Sequence, residues 1–234
     1  MALVLIPGFT QTAASWDPAL AHLPPDLETV AVDVPSGLSF VETAAAIGEQ
    51  HGRAVYCGYS MGGRLCLRLA LDRPDLVRGL VVLSASPGIP DDVERAARRD
   101  ADEKLAREIE RDGVDAFVDR WLRQSLFATL PPDAAGLDAR RAGNTVATLT
   151  HALRALGPGA QEPLWDRLGD LEPLFVPAAG VLDEKYVDIA FEMAARVGPD
   201  VHPVLIGGAG HAAHLENPEA VASLLRRVVH DVTS

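Results

Sequence analysis

The sequence predicts an α/β fold in which a mostly parallel sheet is flanked by helices on both faces. Short apolar runs alternate with stretches of helical periodicity, and short turns containing Gly or Pro separate them, a pattern typical of parallel sheets. Residues 91–159 differ, because they contain no strand-like run and are dominated by Ala, Arg, Asp and Glu. We therefore predict a core formed by residues 1–90 and 160–234, with residues 91–159 inserted as an all-helical cap.

Each core element follows from the spacing of its apolar residues. Short continuous apolar runs predict buried strands, and apolar residues three or four positions apart predict helices. Before the cap, the predicted elements in chain order are strand 3–6, helix 16–23, strand 27–34, helix 40–51, strand 54–57, helix 63–71 and strand 80–83. After the cap they are strand 174–179, helix 186–197, strand 201–206 and helix 218–229.

The cap is predicted to contain two to four amphipathic helices. Its apolar residues recur at helical spacing in two groups, namely Leu105, Ile109, Val114, Phe117, Trp121 and Leu122, then Val146, Leu149, Leu153 and Leu156. The run Gly157-Pro158-Gly159 ends this pattern and returns the chain to the core.

Composition narrows the range of partners and locations. The net charge is −12 at pH 7, which disfavours nucleic acid or an anionic membrane as a partner. The apolar stretch 1–6 is short, lacks a basic lead and runs into Pro7-Gly8, so it predicts a first strand and not a signal peptide. We accordingly expect a cytoplasmic protein. The two cysteines, Cys57 and Cys66, do not indicate a disulfide framework.

The segment Gly58-Tyr59-Ser60-Met61-Gly62 is the strongest functional signal in the chain. It matches the pattern G-x-S-x-G between a predicted strand and a predicted helix, which is the context of a nucleophile elbow. The serine of an elbow occupies a strained turn, and its flanking glycines are needed because side chains there would collide with neighbouring backbone. The alternative is a glycine-rich turn that packs a helix closely on the sheet.

Two further polar residues follow the last two predicted strands. Functional groups of parallel sheets gather at the carboxyl ends of the strands, where Asp183 and His211 lie. We predict that His211 takes the proton of Ser60, and that Asp183 fixes the tautomer of His211 and stabilises its charged form.

Both assignments have competitors nearby in the sequence. Glu184 and Asp188 also follow the strand, where a carboxylate is commonly solvated or caps a helix, but the position favours Asp183. His214 competes with His211, which we prefer because the glycine before it lets the loop approach closely. We expect His214 to be an exposed residue leading into the last helix. The remaining histidines show no metal-ligand spacing.

Two backbone N–H groups are candidates for an oxyanion hole. The N–H of Met61, just after the serine, is one, and the turn after the first strand should supply the other. Phe9 is our choice there, because Gly8 permits close approach of the backbone. A plain core aromatic is the alternative for Phe9, and it is compatible with a backbone role.

These features together resemble the α/β-hydrolase superfamily over nearly the whole chain. Within it, the sequence is most similar to the family of 2-succinyl-6-hydroxy-2,4-cyclohexadiene-1-carboxylate synthases of menaquinone biosynthesis. The motifs that carry this narrower resemblance are Glu94-Arg95-Ala96-Ala97-Arg98-Arg99 with Asp102, Phe117 through Trp121, Leu126-Phe127-Ala128, Gln161-Glu162-Pro163-Leu164-Trp165, Asp183-Glu184-Lys185-Tyr186 and Gly210-His211-Ala212-Ala213-His214-Leu215-Glu216-Asn217-Pro218. Two positions depart from the family, since Pro7 stands where a histidine commonly precedes the glycine, and Val181 where an acidic residue often stands.

The resemblance implies a carbon–oxygen lyase that needs no cofactor. Ser60, His211 and Asp183 would act as a base that removes an acidic C–H proton from a cyclohexene carboxylate bearing an enolpyruvyl ether. Pyruvate would be expelled and a diene would remain, with the developing oxyanion held in the oxyanion hole. The substrate is then a small anion with several carboxylates, so arginines are expected in its pocket.

Five side chains are the predicted substrate contacts: Tyr59, Arg64, Arg98, Trp121 and Arg141. Arg64 lies one helical turn past the serine, Tyr59 lies beside it, and the other three match positions of the family in the cap. All but two of the 21 basic residues are arginine, so a solvated helix face is the alternative for Arg98 and Arg141.

Two other functions remain open at this point. One is a carboxylic-ester or C–C bond hydrolase that forms an acyl-enzyme at Ser60, because the superfamily scaffold serves many chemistries. The other is a binding protein that keeps the fold without catalysis, and the complete set of Ser60, Asp183 and His211 disfavours it.

Overall fold

A six-stranded sheet forms the centre of the computed structural model, which describes all residues, 1–234. Its strands are β1 (Leu3–Ile6), β2 (Thr29–Ala31), β3 (Ala54–Tyr59), β4 (Val77–Leu83), β5 (Leu174–Gly180) and β6 (Val204–Ile206). They lie in the order β2-β1-β3-β4-β5-β6, and every neighbouring pair is parallel. All carboxyl ends therefore lie along one edge of the sheet.

The strand order reverses at β1, because β2 lies on one side of it and β3 on the other. In open parallel sheets such a reversal leaves a crevice beyond the carboxyl ends of the strands, where ligands bind. The turn that follows β1 and the turn that follows β3 meet in this crevice.

Nine helices accompany the sheet. They are α1 (Asp17–Leu20), α2 (Phe40–His51), α3 (Met61–Asp72), α4 (Asp92–Leu122), α5 (Leu137–Ala142), α6 (Val146–Leu156), α7 (Glu184–Val197), α8 (Ala213–Glu216) and α9 (Pro218–Thr233). Short 3₁₀ turns lie at Ala13–Trp16, Pro74–Leu76, Ser125–Phe127 and Trp165–Asp170.

The two faces of the sheet bury separate apolar layers. Val4 and Ile6 of β1 pack into one layer with residues of α2, α3 and α7, while Leu3 and Leu5 pack into the other with residues of α1 and α9. Alternate residues of a strand point to opposite faces, so a strand covered on both sides must be apolar throughout. This is why β1 has the uninterrupted apolar sequence from which it was predicted.

The chain between β4 and β5 forms only helices, and these have a small core of their own. Ile109 and Phe117 of α4 pack there with Leu149 and Leu153 of α6. Gly113 has φ +81°, so it interrupts α4 and divides it into two helical segments. The division into core and cap at residues 91 and 159 stays a prediction, with which this helical segment agrees.

Several predicted elements are shorter in the structure than the apolar pattern suggested. The helix expected over 16–23 is only the single turn α1, because Pro24-Pro25 follows closely and proline cannot continue a helix. The strands expected over 27–34 and 201–206 shrink to β2 and β6, which are the two edges of the sheet and pair on one side only. The sheet is parallel throughout, not merely mostly so.

The helices of the structure are too short or too polar to cross a bilayer.

Candidate active site

Ser60 occupies the sharp turn between β3 and α3. Its backbone has φ +51° and ψ −110°, a strained conformation for a residue with a side chain, and such strain clusters at functional sites. A Cβ atom on Gly58 would lie 2.2 Å from the carbonyl oxygen of Gly62, and one on Gly62 would lie 2.3 Å from that of Ile6. Glycine is therefore required at both positions, and the turn has the geometry of a nucleophile elbow.

Asp183 and His211 meet beyond the carboxyl ends of β5 and β6. His211 Nδ1 lies 2.7 Å from Asp183 Oδ2, and both side chains are buried. With Nδ1 held by the carboxylate, Nε2 is the ring nitrogen left for proton transfer. The competing carboxylates Glu184 and Asp188 are exposed, and neither forms a hydrogen bond or ion pair with His211.

The loop that carries His211 is held by the carboxylate of Glu216. Its two oxygens accept hydrogen bonds from the N–H groups of Gly210, at 2.8 Å, and Ala212, at 2.9 Å. A Cβ atom on Gly180 would lie 2.1 Å from the carbonyl oxygen of Gly210, so the loop also packs directly on the end of β5. The position of the imidazole is therefore set by its backbone.

A cavity of about 270 Å³ lies between the core and the inserted helices. Ser60 and His211 line it from the core, and Arg98 and Trp121 line it from α4. Ser60 Oγ forms no hydrogen bond with His211, and neither Oγ nor His211 Nε2 has another protein partner. In unliganded sites such a bond is often long and tightens only in the complex.

Two free backbone N–H groups flank the serine. Met61 is the first residue of α3, so its N–H has no acceptor within the helix. The N–H of Phe9 makes no hydrogen bond, whereas that of Gly8 donates to Gln11 Oε1 at 3.2 Å. Phe9 and Met61 both line the cavity. Both N–H donors of a possible oxyanion hole are thus unoccupied, although Pro7 replaces the histidine that is common in the family.

Arg64 brings a buried positive charge to the cavity wall. It is 6% exposed, and its guanidinium donates to Gln161 Oε1 at 2.8 Å and to the Leu156 carbonyl oxygen at 2.6 Å. Burial lowers its pKa to about 10, so it stays protonated at neutral pH. No carboxylate pairs with it, and its charge is therefore not neutralised by a direct partner.

Two more cations line the same cavity. Arg98 is 40% exposed and donates from Nε to Asp102 Oδ1 at 2.8 Å, while the Asp102 side chain is 2% exposed. Lys185 is exposed, lines the cavity at its mouth and forms no ion pair. An anionic ligand would meet Arg64 and Lys185 without a carboxylate partner, and Arg98 with one.

Aromatic side chains form the apolar part of the wall. Trp121 packs edge-to-face on Phe9 with 5.0 Å between ring centroids, and its Nε1–H has no hydrogen-bond partner. Tyr186 lines the cavity with its ring centroid 4.7 Å from that of His211. Burial raises the pKa of Tyr186, so its hydroxyl remains protonated. Tyr186 ends the motif Asp183-Glu184-Lys185-Tyr186, which carries part of the family resemblance but gave Tyr186 no role of its own.

Two predicted substrate contacts lie away from the cavity. Tyr59 is 3% exposed and points beneath the turn after β1, where a Cβ atom on Gly8 would lie 2.6 Å from its ring. Arg141 pairs with Asp119 at 2.7 Å on the outer side of the inserted helices. Neither lines the cavity, so their assignment as substrate contacts stays a prediction that this cavity does not support.

The expectation that His214 is exposed is wrong. Its side chain is 0% exposed, with its ring centroid 4.3 Å from that of Tyr59 and 4.7 Å from that of Trp16. Neither ring nitrogen has a hydrogen-bond partner. Burial, reinforced by the charge of Arg140, holds the pKa of His214 well below its usual range. His214 is therefore a neutral, structural residue beneath the site.

Known proteins resemble this chain in sequence over most of its length. The model of the "Alpha/beta hydrolase family" matches residues 3–224. A protein of Bacillus subtilis (strain 168), provisionally named 2-succinyl-6-hydroxy-2,4-cyclohexadiene-1-carboxylate synthase, is 30% identical over 96% of this chain and 88% of its own length. The protein of that name from Enterobacter sp. (strain 638) is 29% identical over 97% of this chain and 91% of its own length.

Two further likenesses concern a longer protein and a solved structure. Protein PHYLLO, chloroplastic, of Arabidopsis thaliana is 29% identical over 94% of this chain, which spans only 15% of PHYLLO. The structure of MenH from S. aureus has a TM-score of 0.92 and 24% identity, covering 100% of this chain and 95% of that one. The last likeness is one of fold.

Proposed function

This chain belongs to the alpha/beta hydrolase family and, within it, to the family of 2-succinyl-6-hydroxy-2,4-cyclohexadiene-1-carboxylate synthases, and we propose that it is a carbon–oxygen lyase of menaquinone biosynthesis. The substrate is a cyclohexene carboxylate that carries an enolpyruvyl ether, and the products are pyruvate and the diene in the family's name. A single observation favours this reaction over the others that the fold supports. The guanidinium of Arg64, which no carboxylate neutralises, lies in the wall of the cavity that Ser60 and His211 line.

Ser60 and His211 together supply the base in this proposal. His211 Nε2 takes the proton of Ser60 Oγ, and the alkoxide removes the acidic proton of the ring carbon that bears the succinyl carbonyl. Asp183, bonded to His211 Nδ1 at 2.7 Å, keeps Nε2 free to accept and stabilises the imidazolium. The strained backbone of Ser60 presents Oγ to the cavity in place of packing it against the sheet.

The electrons released by the ring carbon move first toward the succinyl carbonyl oxygen. The N–H groups of Phe9 and Met61 face that position in the proposal and stabilise the oxyanion. Collapse of this enolate forms the new ring double bond and shifts the existing one. The bond between the ring carbon and the ether oxygen then breaks. The departing enolate of pyruvate takes up the proton carried by the His211 imidazolium and becomes pyruvate, so atoms and charge balance without an acyl-enzyme.

In this proposal the carboxylates of the substrate bind cationic side chains in the wall of the cavity. Arg64 is the strongest candidate, because a guanidinium binds a carboxylate through two parallel hydrogen bonds and this one has no carboxylate of its own. Arg98 and Lys185 are the further candidates, and Trp121 packs against the ring of the substrate. We also propose a cytoplasmic location, which the free thiols of two cysteines support.

The test is pyruvate release from the enolpyruvyl substrate by the wild type, Ser60→Ala and His211→Ala. We expect turnover by the wild type and a loss of about 10²-fold or more in each variant, because each lacks one member of the base. Absence of pyruvate from the wild type would exclude the proposed reaction. Unchanged turnover by both variants would exclude the proposed base.

An ester or C–C bond hydrolase is the second candidate, and the two free N–H donors beside Ser60 favour it. That arrangement would equally hold the tetrahedral intermediate of acyl transfer. The two candidates differ in substrate charge, since a hydrolase of neutral esters gains nothing from Arg64. Faster hydrolysis of a neutral ester than release of pyruvate would favour the hydrolase.

A further inference from the structure

Gln161 joins the two places where the chain passes between the core and the inserted helices. Its side chain is 1% exposed, and Nε2 donates to the Pro87 carbonyl oxygen at 3.0 Å. The Leu164 N–H donates to the same carbonyl at 2.8 Å. Gly88 has φ +111°, and a Cβ atom there would lie 3.2 Å from Gln161 Nε2. The outgoing segment at Pro87-Gly88 and the returning segment at Gln161 are thus packed together.

The other end of the same amide holds the buried guanidinium. Gln161 Oε1 accepts from Arg64 Nη1 at 2.8 Å, and the Leu156 carbonyl oxygen accepts from Arg64 Nη2 at 2.6 Å. Arginine only donates, which fixes the orientation of the amide with its oxygen toward Arg64. Both acceptors are neutral, so the guanidinium is positioned without losing its charge.

The presence of glutamine and not glutamate at position 161 keeps the charge of Arg64 from being neutralised within the protein. A buried arginine is most often paired with a carboxylate, and glutamate has the same length as glutamine. A glutamate at position 161 would place an anionic oxygen where the amide oxygen now lies, and Arg64 would then form an internal ion pair. A ligand carboxylate would have to compete with that pair.

We propose that Gln161 is a positioning residue for carboxylate recognition, which holds Arg64 in the cavity wall through a neutral acceptor and so leaves its charge for the ligand. This inference rests on the proposed function insofar as the ligand is a carboxylate. It adds that the selectivity of the cavity for anions is set by a residue of the returning segment. Gln161 need not touch the ligand for this role.

The test compares Gln161→Glu with Gln161→Met and with Glu162→Gln. Glu162 is the matched control, because its side chain is 74% exposed and its partner is Arg68 on the outside of α3. Three quantities are measured for each protein: the affinity for succinate by calorimetry, kcat and KM for pyruvate release, and the melting temperature. Succinate serves as a small dicarboxylate probe that does not depend on the reaction.

We expect Gln161→Glu to weaken succinate binding and raise KM about tenfold or more, because a charge-assisted hydrogen bond is lost to the internal pair. Its kcat should stay within about threefold, and its melting temperature should not fall, since the new ion pair offsets the lost bond to Pro87. Gln161→Met should lower the melting temperature by removing both hydrogen bonds, while changing succinate affinity less than Gln161→Glu does. Glu162→Gln should leave all three quantities near the wild type.

A purely structural role for Gln161 gives a different pattern. Both variants would then lower the melting temperature together, and the folded fraction of Gln161→Glu would bind succinate as the wild type does. That result would overturn the proposal, and so would a wild type that does not bind succinate. A wild type that binds succinate but releases no pyruvate would instead refute the lyase and leave Gln161 to be judged by the binding data.

Discussion

The buried histidine His214 makes a quantitative prediction about acid stability. Burial is the main reason that its pKa lies well below the usual value in the folded protein. When the chain unfolds, the ring enters water and recovers a pKa of about 6.5. Below that pH the unfolded chain binds a proton that the folded chain excludes, so stability is lost as the pH falls through about 6.5. Above it, His214 contributes no pH dependence.

The size of the effect follows from linkage. One proton bound only by the unfolded chain changes the free energy of unfolding by about 1.4 kcal/mol per pH unit once the pH is well below 6.5. Integrated from pH 7.5 to pH 5, this gives a loss of about 2 kcal/mol attributable to His214. For a chain of 234 residues, that loss corresponds to a fall of roughly 4–8 °C in melting temperature.

His214→Phe is the informative variant, because phenylalanine keeps a planar ring between Tyr59 and Trp16 and cannot be protonated. It also removes two ring nitrogens that have no partner, which offsets the cost of the slightly larger ring. We expect unfolding free energies within about 1 kcal/mol of the wild type at pH 7.5 and a relative gain of about 2 kcal/mol at pH 5. Urea unfolding followed by circular dichroism measures both.

The control for that comparison is His202→Gln, since His202 is exposed and its replacement removes a histidine without changing the buried site of His214. It should follow the wild type at both pH values. If His214→Phe loses stability between pH 7.5 and pH 5 as steeply as the wild type, the ring of His214 is not the group that excludes the proton. The interpretation of His214 as a neutral buried residue would then be refuted.

Three further predictions concern the site. Asp183→Asn should lower kcat by about 10³–10⁴-fold with little change in KM, because it leaves His211 in place but in the wrong tautomer; steady-state pyruvate release measures it, and a KM effect alone would contradict it. Gly62→Ala should cost about 1–3 kcal/mol, since its Cβ atom would lie 2.3 Å from the Ile6 carbonyl oxygen; an unchanged urea midpoint would contradict the packing argument. Lys185→Gln should lower kcat/KM about two- to fivefold at low salt and less at high salt, whereas Lys104→Gln, which removes the other lysine, should have no effect.

The strands that are buried on both faces of the sheet were the elements best predicted from the sequence. β1, β3 and β4 lie in the middle of the sheet, and the continuous apolar runs that predicted them are a direct consequence. The edge strand β2 was predicted too long, because its pairing with β1 ends at Ala31 while Val32 and Val34 beyond it still pack in the core. The helix after the elbow begins at Met61 and not at Gly63, because Met61 and Gly62 of the turn already belong to the helix.

In the site, too, the positions of residues that follow a local pattern could be predicted, whereas contacts between distant parts of the chain could not. Ser60, Asp183 and His211 could be predicted because each follows a strand, and parallel strands bring their carboxyl ends together. The contact between Arg64 and Gln161 joins residues 97 positions apart, and no local pattern announces it. The direction in which Arg141 points could not be predicted for a simpler reason, because one position along a helix turns a side chain by about 100°.

Arg140 lies one position before Arg141 and points into the protein. It is 3% exposed and donates to the Ala135 carbonyl oxygen at 2.7 Å and to the Thr10 hydroxyl, while Arg141 remains at the surface with Asp119. Burial lowers the pKa of Arg140 to about 10. The inward arginine therefore ties α5 to the turn after β1, a structural task that the resemblance did not suggest.

In the proposed reaction, Ser60 acts as part of a base and never carries an acyl group. Intact-mass spectrometry of the protein, quenched during steady-state pyruvate release from the enolpyruvyl substrate, distinguishes this role from that of a nucleophile. We expect the unmodified mass of the chain at every time point, with pyruvate accumulating in solution. A substrate-derived adduct on Ser60 that forms and decays at the rate of turnover would contradict it.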